Sequence, residues 1–526
     1  MKIERTKNAK KSIAAGLIFK VAQMILPFFM RTVMLYYMGE EYLGLNGLFT
    51  SVLQVLNLAE LGVGSAMVFS MYKPIAEDDT PRICALMRLY RTYYRVIGLV
   101  VGVAGVAIAP FIPHLIAGDV PTELNAYILY FLNLGATVLS YWLFAYKNCL
   151  FQAHQRTDVS SIVGLITNIC QYGIQLLVVI YLKDYYLYLI TVLAMQVVNN
   201  IVTAILAGKM YPQYRAQGRL DPSEVRGING RVRDLFTGKV GQVVFRSVDT
   251  IVISAVLGLT VLGRYQNYFF IITSITGVVD TMMSAIIAGL GNSFLTETKE
   301  KNLQDLKKFA FLFLWLGTVC ACLLIGMYQP FMEIWVGKEK MLPYGIVLCL
   351  GLYFFIYALN RLLNVYKDAA GLWHVDRFRL LVSAAVNLTL NILWVKPFGL
   401  YGVLLSTVAA WVFVAIPWVL HNIFTRLFER KDRKPVMAVL LGESAGAVLS
   451  AGLVALATVF LKGSPWLCLL LGGAAGTVIP LAVFILLYRG TEAFAEGMLF
   501  ADRLTKNKLH LHRRLCPKKR KEGGDV

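Results

Sequence analysis

The chain contains about 14 apolar runs of roughly 20 residues, the length an α-helix needs to cross a bilayer. Their centres fall near Leu26, Leu56, Val103, Thr137, Cys170, Met195 and Val248, then near Ser274, Thr318, Leu352, Asn387, Ala409, Gly446 and Gly476. Of the 526 residues 57% are hydrophobic and only 16% charged, so no soluble domain is left over. The chain reads as an all-α polytopic membrane protein. Its opening "MKIERTKNAKK" is basic, but no small-residue cleavage site follows, and the first run is expected to stay as an uncleaved helix.

Lysine and arginine are retained in short cytoplasmic loops, so their distribution gives a sidedness. With the N-terminus inside, the loops expected in the cytoplasm carry Lys73, Arg82, Arg88 and Arg91, then Lys147 and Arg156, with further basic sets in each later inner loop. The opposite loops carry little: Glu40 and Glu41, Asp119 and Glu123, the mixed Lys183 and Asp184, and Glu333 with Lys338, Glu339 and Lys340. Both termini are then cytoplasmic. The formal net charge of +20 becomes a topology and lipid-surface signal, and nucleic-acid binding is excluded for want of a domain to perform it. The 8 cysteines lie in spans or on the inner side, with no disulfide framework and no metal-ligand spacing.

Laying the chain over itself at an offset of 219 (239 − 20) pairs "KVAQ" from Lys20 with "KVGQ" from Lys239. Gly39 then falls on Gly258, Leu43 and Gly44 on Leu262 and Gly263, Ser65 and Ala66 on Ser284 and Ala285, and Asn168 on Asn387; a slip of one position adds Tyr146, Lys147 and His154 on Tyr366, Lys367 and His374. Spans one and seven both start inside, so the duplication is a parallel repeat about an axis along the membrane normal. The expected organisation is a basic cytoplasmic N-terminus over 1–11, an N-lobe of helices 1–6 over 12–210 and a cytoplasmic linker over 211–233. A C-lobe of helices 7–12 over 234–425, helices 13–14 over 435–488 and a basic cytoplasmic tail over 489–526 complete it.

Helices 13 and 14 contain "GESAG" and "GGAAG", whose small residues four apart permit close helix packing. The first matches a Gly-x-Ser-x-Gly nucleophile pattern, but a spanning helix offers neither the strand-to-helix turn nor the histidine that chemistry needs, and no catalytic residue is assigned. Part of the linker is expected to form an interfacial helix. The tail, alternating apolar and basic residues, is expected to lie along the cytoplasmic interface.

Charges inside the spans point to function. At about 100° per residue, Lys20, Gln23, Pro27 and Arg31 share an arc of roughly 80° on helix 1, and Lys239, Gln242, Arg246 and Asp249 share one face of helix 7. A charge left facing lipid near the bilayer centre costs at least about 2.5 to 3.5 kcal/mol, so two such stripes are expected to line a wet cavity. The plainer alternative has Lys20 and Arg31 snorkelling to the two headgroup layers and Arg246 bonding Asp249 within its helix. Glu60, Asp280 and Arg361 are also buried in spans, the two carboxylates at nearly corresponding places in the repeat. Each carboxylate is left as a counter-ion, a proton or sodium carrier, or a structural partner. Asn168, Gln171 and Gln175, with Asn387 and Asn391, read as interhelical hydrogen bonds rather than ligands. Deep cations (Lys20, Arg31, Lys239, Arg246, Arg361) outnumber deep anions (Glu60, Asp249, Asp280), which favours anionic cargo; arginine's fork suits phosphate. No acidic, aromatic pocket of the kind an organic cation needs is visible.

The blocks "YLGLNGLFTSVLQVLNLAELGVGSAM", "RSVDTIVISAVLGLTVLGRYQNY", "KDAAGLWHVDRFRLLVSAAVNLTLNILWV" and "FGLYGVLLSTVAAW" resemble the polysaccharide-transporter branch of the multidrug/oligosaccharidyl-lipid/polysaccharide (MOP) exporter superfamily, which includes the O-antigen and capsule repeat-unit flippases. The resemblance implies two six-helix lobes facing a central cavity, with two additional C-terminal helices. It implies alternating access that moves undecaprenyl-diphosphate-linked oligosaccharide from the inner to the outer leaflet of the cytoplasmic membrane. It further implies a diphosphate-receiving role for Lys20, Arg31, Lys239 and Arg246, no bound cofactor, and polysaccharide polymerase and glycosyltransferases as working partners. The competing readings are a cation-coupled multidrug (MATE-like) exporter of the same fold and a membrane-embedded glycosyltransferase or polymerase. Every outer loop is short for the latter.

Overall fold

The computed structural model describes residues 5–516, apart from Leu61, Asp119, Lys506, Asn507 and Leu509. The start of the expected basic N-terminus (1–4) and the end of the expected basic tail (517–526) lie outside the described residues, and so does the outer-loop Asp119; the side chain of Ala285, one of the repeat pairs, does too. Among the described residues the chain is helical throughout, with no strand. Twelve helices are long and apolar enough to cross a membrane, or thirteen when one bent pair is counted as a span. The protein is a multi-pass membrane protein.

The runs that fall short of the expected fourteen are the fourth, which is the bent pair, and the second. After α1 (Arg5–Tyr37), that run is divided into α2 (Glu40–Leu56) and α3 (Val63–Ala76) by a 3-10 turn over Asn57–Glu60. Gly62 closes the break at φ 93°, a left-handed conformation that glycine adopts without a Cβ penalty. Neither piece alone reaches spanning length. Hydropathy sees one apolar run there; backbone hydrogen bonding sees two helices.

Packing divides the chain into two compact units, Met1–Gln266 and Asn267–Val526. In the first, α4 (Thr80–Ile108) is capped by Asp79, whose carboxylate accepts from the Arg82 amide at 3.1 Å. Next come α5 (Ala126–Trp142) and α6 (Asn148–Ala153), which form the bent pair with an angle of 49° at their break. α7 (Thr157–Leu177), α8 (Tyr185–Met210) and α9 (Pro222–Leu257) follow. α9 takes up the polar linker from Pro222 on, so that part is helical and runs without a break into the apolar span, Lys239–Leu257. Arg82 pairs with Glu224 at 2.6 Å, and Arg88 donates to the Gly218 carbonyl at 3.0 Å.

The duplication reappears in the backbone. Gly39 and Gly258 have φ of 119° and 90°, and Gly118 and Gly337 have 82° and 85°, each pair at the offset of 219 (258 − 39, 337 − 118). Gln155 and Gly371, at 57° and 68°, and Lys183 and Gly399, at 51° and 57°, recur at an offset of 216 (371 − 155, 399 − 183). The register therefore slips by about one helical turn inside the repeat, so the expected pairing of Tyr146, Lys147 and His154 with Tyr366, Lys367 and His374, at 220 (366 − 146), is not the one the backbone keeps. Where α2 crosses the start of α10 (Leu259–Thr296), the repeat touches itself: a Cβ on Gly44 would lie 2.3 Å from the Leu259 carbonyl oxygen, and one on Gly263 would lie 2.2 Å from that of Glu40. Both contacts belong to the first unit. Arg264 pairs with Glu40 at 2.8 Å and Thr260 donates to Glu41 at 3.0 Å beside them. Gly263→Val is expected to lower the thermal unfolding midpoint of the detergent-solubilised protein, at an overpacking cost of about 1–3 kcal/mol. Gly277→Ala, where a Cβ meets nothing within 4 Å, is the control that leaves it unchanged.

In the second unit α11 (Lys299–Val336) is the central post for α12 (Tyr344–Ala369), α17 (Arg433–Val459), α18 (Pro465–Tyr488) and α19 (Glu492–Leu504). The glycines of "GGAAG" bring backbones together: a Cβ on Gly472 would stand 2.1 Å from the Gly326 carbonyl oxygen, and one on Gly476 2.9 Å from that of Cys322. In "GESAG", Gly446 receives the Tyr488 ring, and the Ser444 hydroxyl donates to the Leu440 carbonyl at 2.7 Å. α19 departs from the expectation of an interfacial tail. Its apolar residues Phe494 and Met498 are buried with Phe311 of α11, so protein, not lipid, covers that face.

The remaining elements are α13 (Trp373–Asp376), α14 (Arg379–Phe398), α15 (Leu400–Ala410), α16 (Ile416–Arg426) and α20 (Leu511–Leu515). Three of the five polar residues read as interhelical glue act as such: Asn387 on α14 donates to Thr407 at 2.9 Å, Ser406 donates to Asn391 at 2.9 Å, and Gln175 donates to the Tyr188 carbonyl at 3.4 Å, whereas Gln171 donates within α7, to Gln175 at 3.5 Å.

Candidate functional site

Two polar stripes, a chamber and an ion network hold the residues singled out by the sequence. On α1, Lys20 and Gln23 are exposed while Pro27 and Arg31 are half-buried. Leu17, Val21, Ile25 and Phe29 are also exposed, but on a different arc of the helix, so α1 shows one apolar and one polar open face. Lipid suits the first. The second calls for water. On α9, Gln242 and Arg246 are exposed and Lys239 is half-buried, while Asp249 is buried deeper along the same face. Among the described residues no carboxylate pairs with Lys20, Lys239 or Arg246.

Glu60 lies elsewhere in the first unit, in a chamber of about 820 Å³. Two interrupted spans build it together with α7 and α8. The break between α2 and α3 presents Asn57 and Glu60, and the bend between α5 and α6 presents Ser140, Tyr141, Phe144 and Asn148. Interrupting a span frees it to turn polar groups inward, which is tolerated in a membrane where they line a cavity. The Glu60 carboxylate accepts hydrogen bonds from Tyr94 at 2.6 Å and from Tyr141 at 2.9 Å, and Tyr90 donates to Tyr94 at 3.0 Å. Asn57 Oδ1 and Asn148 Oδ1 are buried acceptors without a donor. The sequence shows no acidic, aromatic pocket, yet folding makes one here, because Tyr94 and Tyr141 stand 34 and 81 residues from Glu60. No local spacing signals that meeting.

In the second unit the carboxylate–phenol pair recurs. Tyr357 donates to Asp280 at 2.6 Å, and Tyr357 is the counterpart of Tyr141 at the slipped offset of 216 (357 − 141). Here the carboxylate has a cation: Arg361 stands 2.8 Å from Asp280 and also donates to Ser284 at 3.0 Å. Arg361 and Asp280, read from sequence as a cavity cation and a counter-ion, neutralise each other. Behind them Lys367 pairs with Asp368 at 2.9 Å and with Asp376 at 3.1 Å, and Arg379, 2% exposed, pairs with Asp376 at 2.8 Å. These ties join the ends of α12, α13 and α14. They are structural, since their charges are matched and enclosed.

No known protein family matches the chain by sequence, and no curated protein does. Solved structures match it by fold. The lipid II flippase MurJ, in an inward closed conformation, superposes with a TM-score of 0.66 at 15% identity, covering 90% of this chain and 99% of that one. An inward-facing multidrug resistance MATE transporter of the MOP superfamily gives 0.54 at 13% identity, over 80% of this chain and 98% of its own. The MATE transporter VcmN of Vibrio cholerae gives 0.52 at 11%, again over 80% and 98%. The chain shares the fold of these transporter structures.

Proposed function

We propose that this chain is a flippase that carries undecaprenyl-diphosphate-linked oligosaccharide across the cytoplasmic membrane by alternating access, for surface polysaccharide synthesis. The observation that carries the reading is the pair of exposed cations Lys20 on α1 and Arg246 on α9, which no carboxylate neutralises among the described residues; on α1 the stripe is set on a face distinct from the apolar one. A diphosphate is the anion such groups serve: Arg246 offers a planar fork, and Lys20 and Lys239 offer point charges. A glycan cannot cross hydrocarbon unaided, because each hydroxyl would lose its hydrogen bonds, whereas the isoprenoid tail can remain in lipid. A polar route beside an apolar face answers both needs. Glu60, and more weakly the neutralised Asp280, are the groups on which a proton or sodium gradient would act.

One observation favours a second reading. The Glu60 chamber, with its tyrosines and Phe144, has the acidic and aromatic character that an exporter of organic cations uses. Proteoliposomes separate the two. The flippase reading expects the purified protein to make labelled undecaprenyl-diphosphate-oligosaccharide accessible to an enzyme added outside, and expects Glu60→Gln to change the response to imposed proton or sodium gradients. Transport of ethidium with no movement of the lipid-linked glycan would install the exporter instead.

A further inference from the structure

We infer that the Glu60 chamber is the glycan subsite, and that it selects uncharged or amino sugars while excluding sugar acids. This rests on the flippase reading and assigns the sugar end of the cargo to a place apart from its diphosphate.

Among the described residues that line the chamber, the one charged group is the Glu60 carboxylate. Glu60, already receiving two phenols, is acceptor-only when ionised. Among the described residues no lysine or arginine lines the space. Such a surface welcomes hydroxyl and ammonium donors and has no cation to receive a phosphate or a carboxylate. The diphosphate must therefore dock elsewhere, and the stripes of α1 and α9 carry the cations for it.

The lining also distinguishes sugars from flat organic cations. Six amides, Asn57, Asn148, Gln152, Gln196, Asn199 and Asn200, share it with serine and threonine hydroxyls. Amides and hydroxyls match a ligand that is polar all round its rim, as a pyranose is, and the exposed rings of Tyr72 and Phe144 offer the flat faces on which its C–H groups stack. A lipophilic cation would leave most of those amides unsatisfied, which weakens binding severely. At about 820 Å³ the chamber lies within the range of small-molecule sites. Discrimination against acids follows from charge: a sugar carboxylate entering this space meets Glu60 with no cation to intervene.

The test uses the full-length protein in phosphatidylethanolamine–phosphatidylglycerol nanodiscs and soluble probes without lipid or phosphate. Saturation-transfer NMR would give dissociation constants for chitotriose, trigalacturonate and tetraphenylphosphonium. Chitotriose is expected to bind at least about tenfold more tightly than trigalacturonate. Glu60→Gln, which keeps an acceptor for the tyrosines but removes the charge, is expected to erase that gap. Gln152→Ala with Gln196→Ala, both helix-compatible and checked by thermal unfolding, is expected to weaken chitotriose about tenfold. Equal binding of the neutral and acidic trisaccharides by the wild type, indifference of chitotriose to the double variant, or preference for tetraphenylphosphonium would each overturn the assignment. A separate arm measures undecaprenyl diphosphate, with no sugar, against Lys20→Ala/Arg246→Ala. Failure there rejects the diphosphate site and leaves the sugar result to stand or fall alone.

Discussion

Replacing Asp376 by alanine is expected to destabilise the second unit by about 3–5 kcal/mol, the cost of breaking a buried ion pair from one side. Asp376 serves two buried cations, Lys367 at 3.1 Å and Arg379 at 2.8 Å, and also accepts from Asn422 at 3.4 Å. Without it Lys367 keeps Asp368, but Arg379 keeps only its bond to Asn364 at 2.7 Å, and its Nη1 already lacks a partner. A full positive charge would then be enclosed with one neutral acceptor. Thermal unfolding in detergent, together with the amount of protein in the membrane, measures the effect. Asp376→Asn, which preserves shape but not charge, should be nearly as harmful. An unchanged midpoint in both variants would mean that water reaches these cations.

Arg246→Ala is expected to do the reverse: leave abundance intact and reduce glycan export at least about tenfold, on the order of one charge-assisted bond to phosphate. Its exposure on α9, without an ion pair among the described residues, predicts little loss of stability. Lys20→Ala should show a smaller defect of the same kind. Arg246→Lys should restore part of the activity, since charge is retained and the two-pronged geometry is not. Surface polysaccharide in a host lacking its own flippase is the readout. Normal export by both alanine variants would remove the diphosphate role.

Much of this architecture can be read along the chain. Span positions follow from runs of apolar residues, the duplication from paired short blocks, and the α1 and α9 stripes from helical periodicity, because each depends on neighbours within a few turns. What the chain hides is long-range pairing. Glu60 could be recognised as a buried carboxylate, but not as the acceptor of two tyrosines from α4 and α5. Asp280 and Arg361 could be counted, but their union between α10 and α12 could not, and that union neutralises one expected cavity cation. The division of the second span depends on the glycine conformation at Gly62, which hydropathy averages away. α19 has an amphipathic face that suits a bilayer surface or another helix equally well. Only the presence of Phe311 decides between them.

The glycine crossing of α2 and α10 is reciprocal. Leu259 and Gly263 are Glu40 and Gly44 moved by one and the same offset (259 − 40 = 263 − 44), so each partner offers the other the patch it receives. That is the isologous rule of a two-fold homodimer, written within one polypeptide. A side chain added at either glycine would meet the same kind of obstacle, the carbonyl oxygen of the residue four positions before the other glycine.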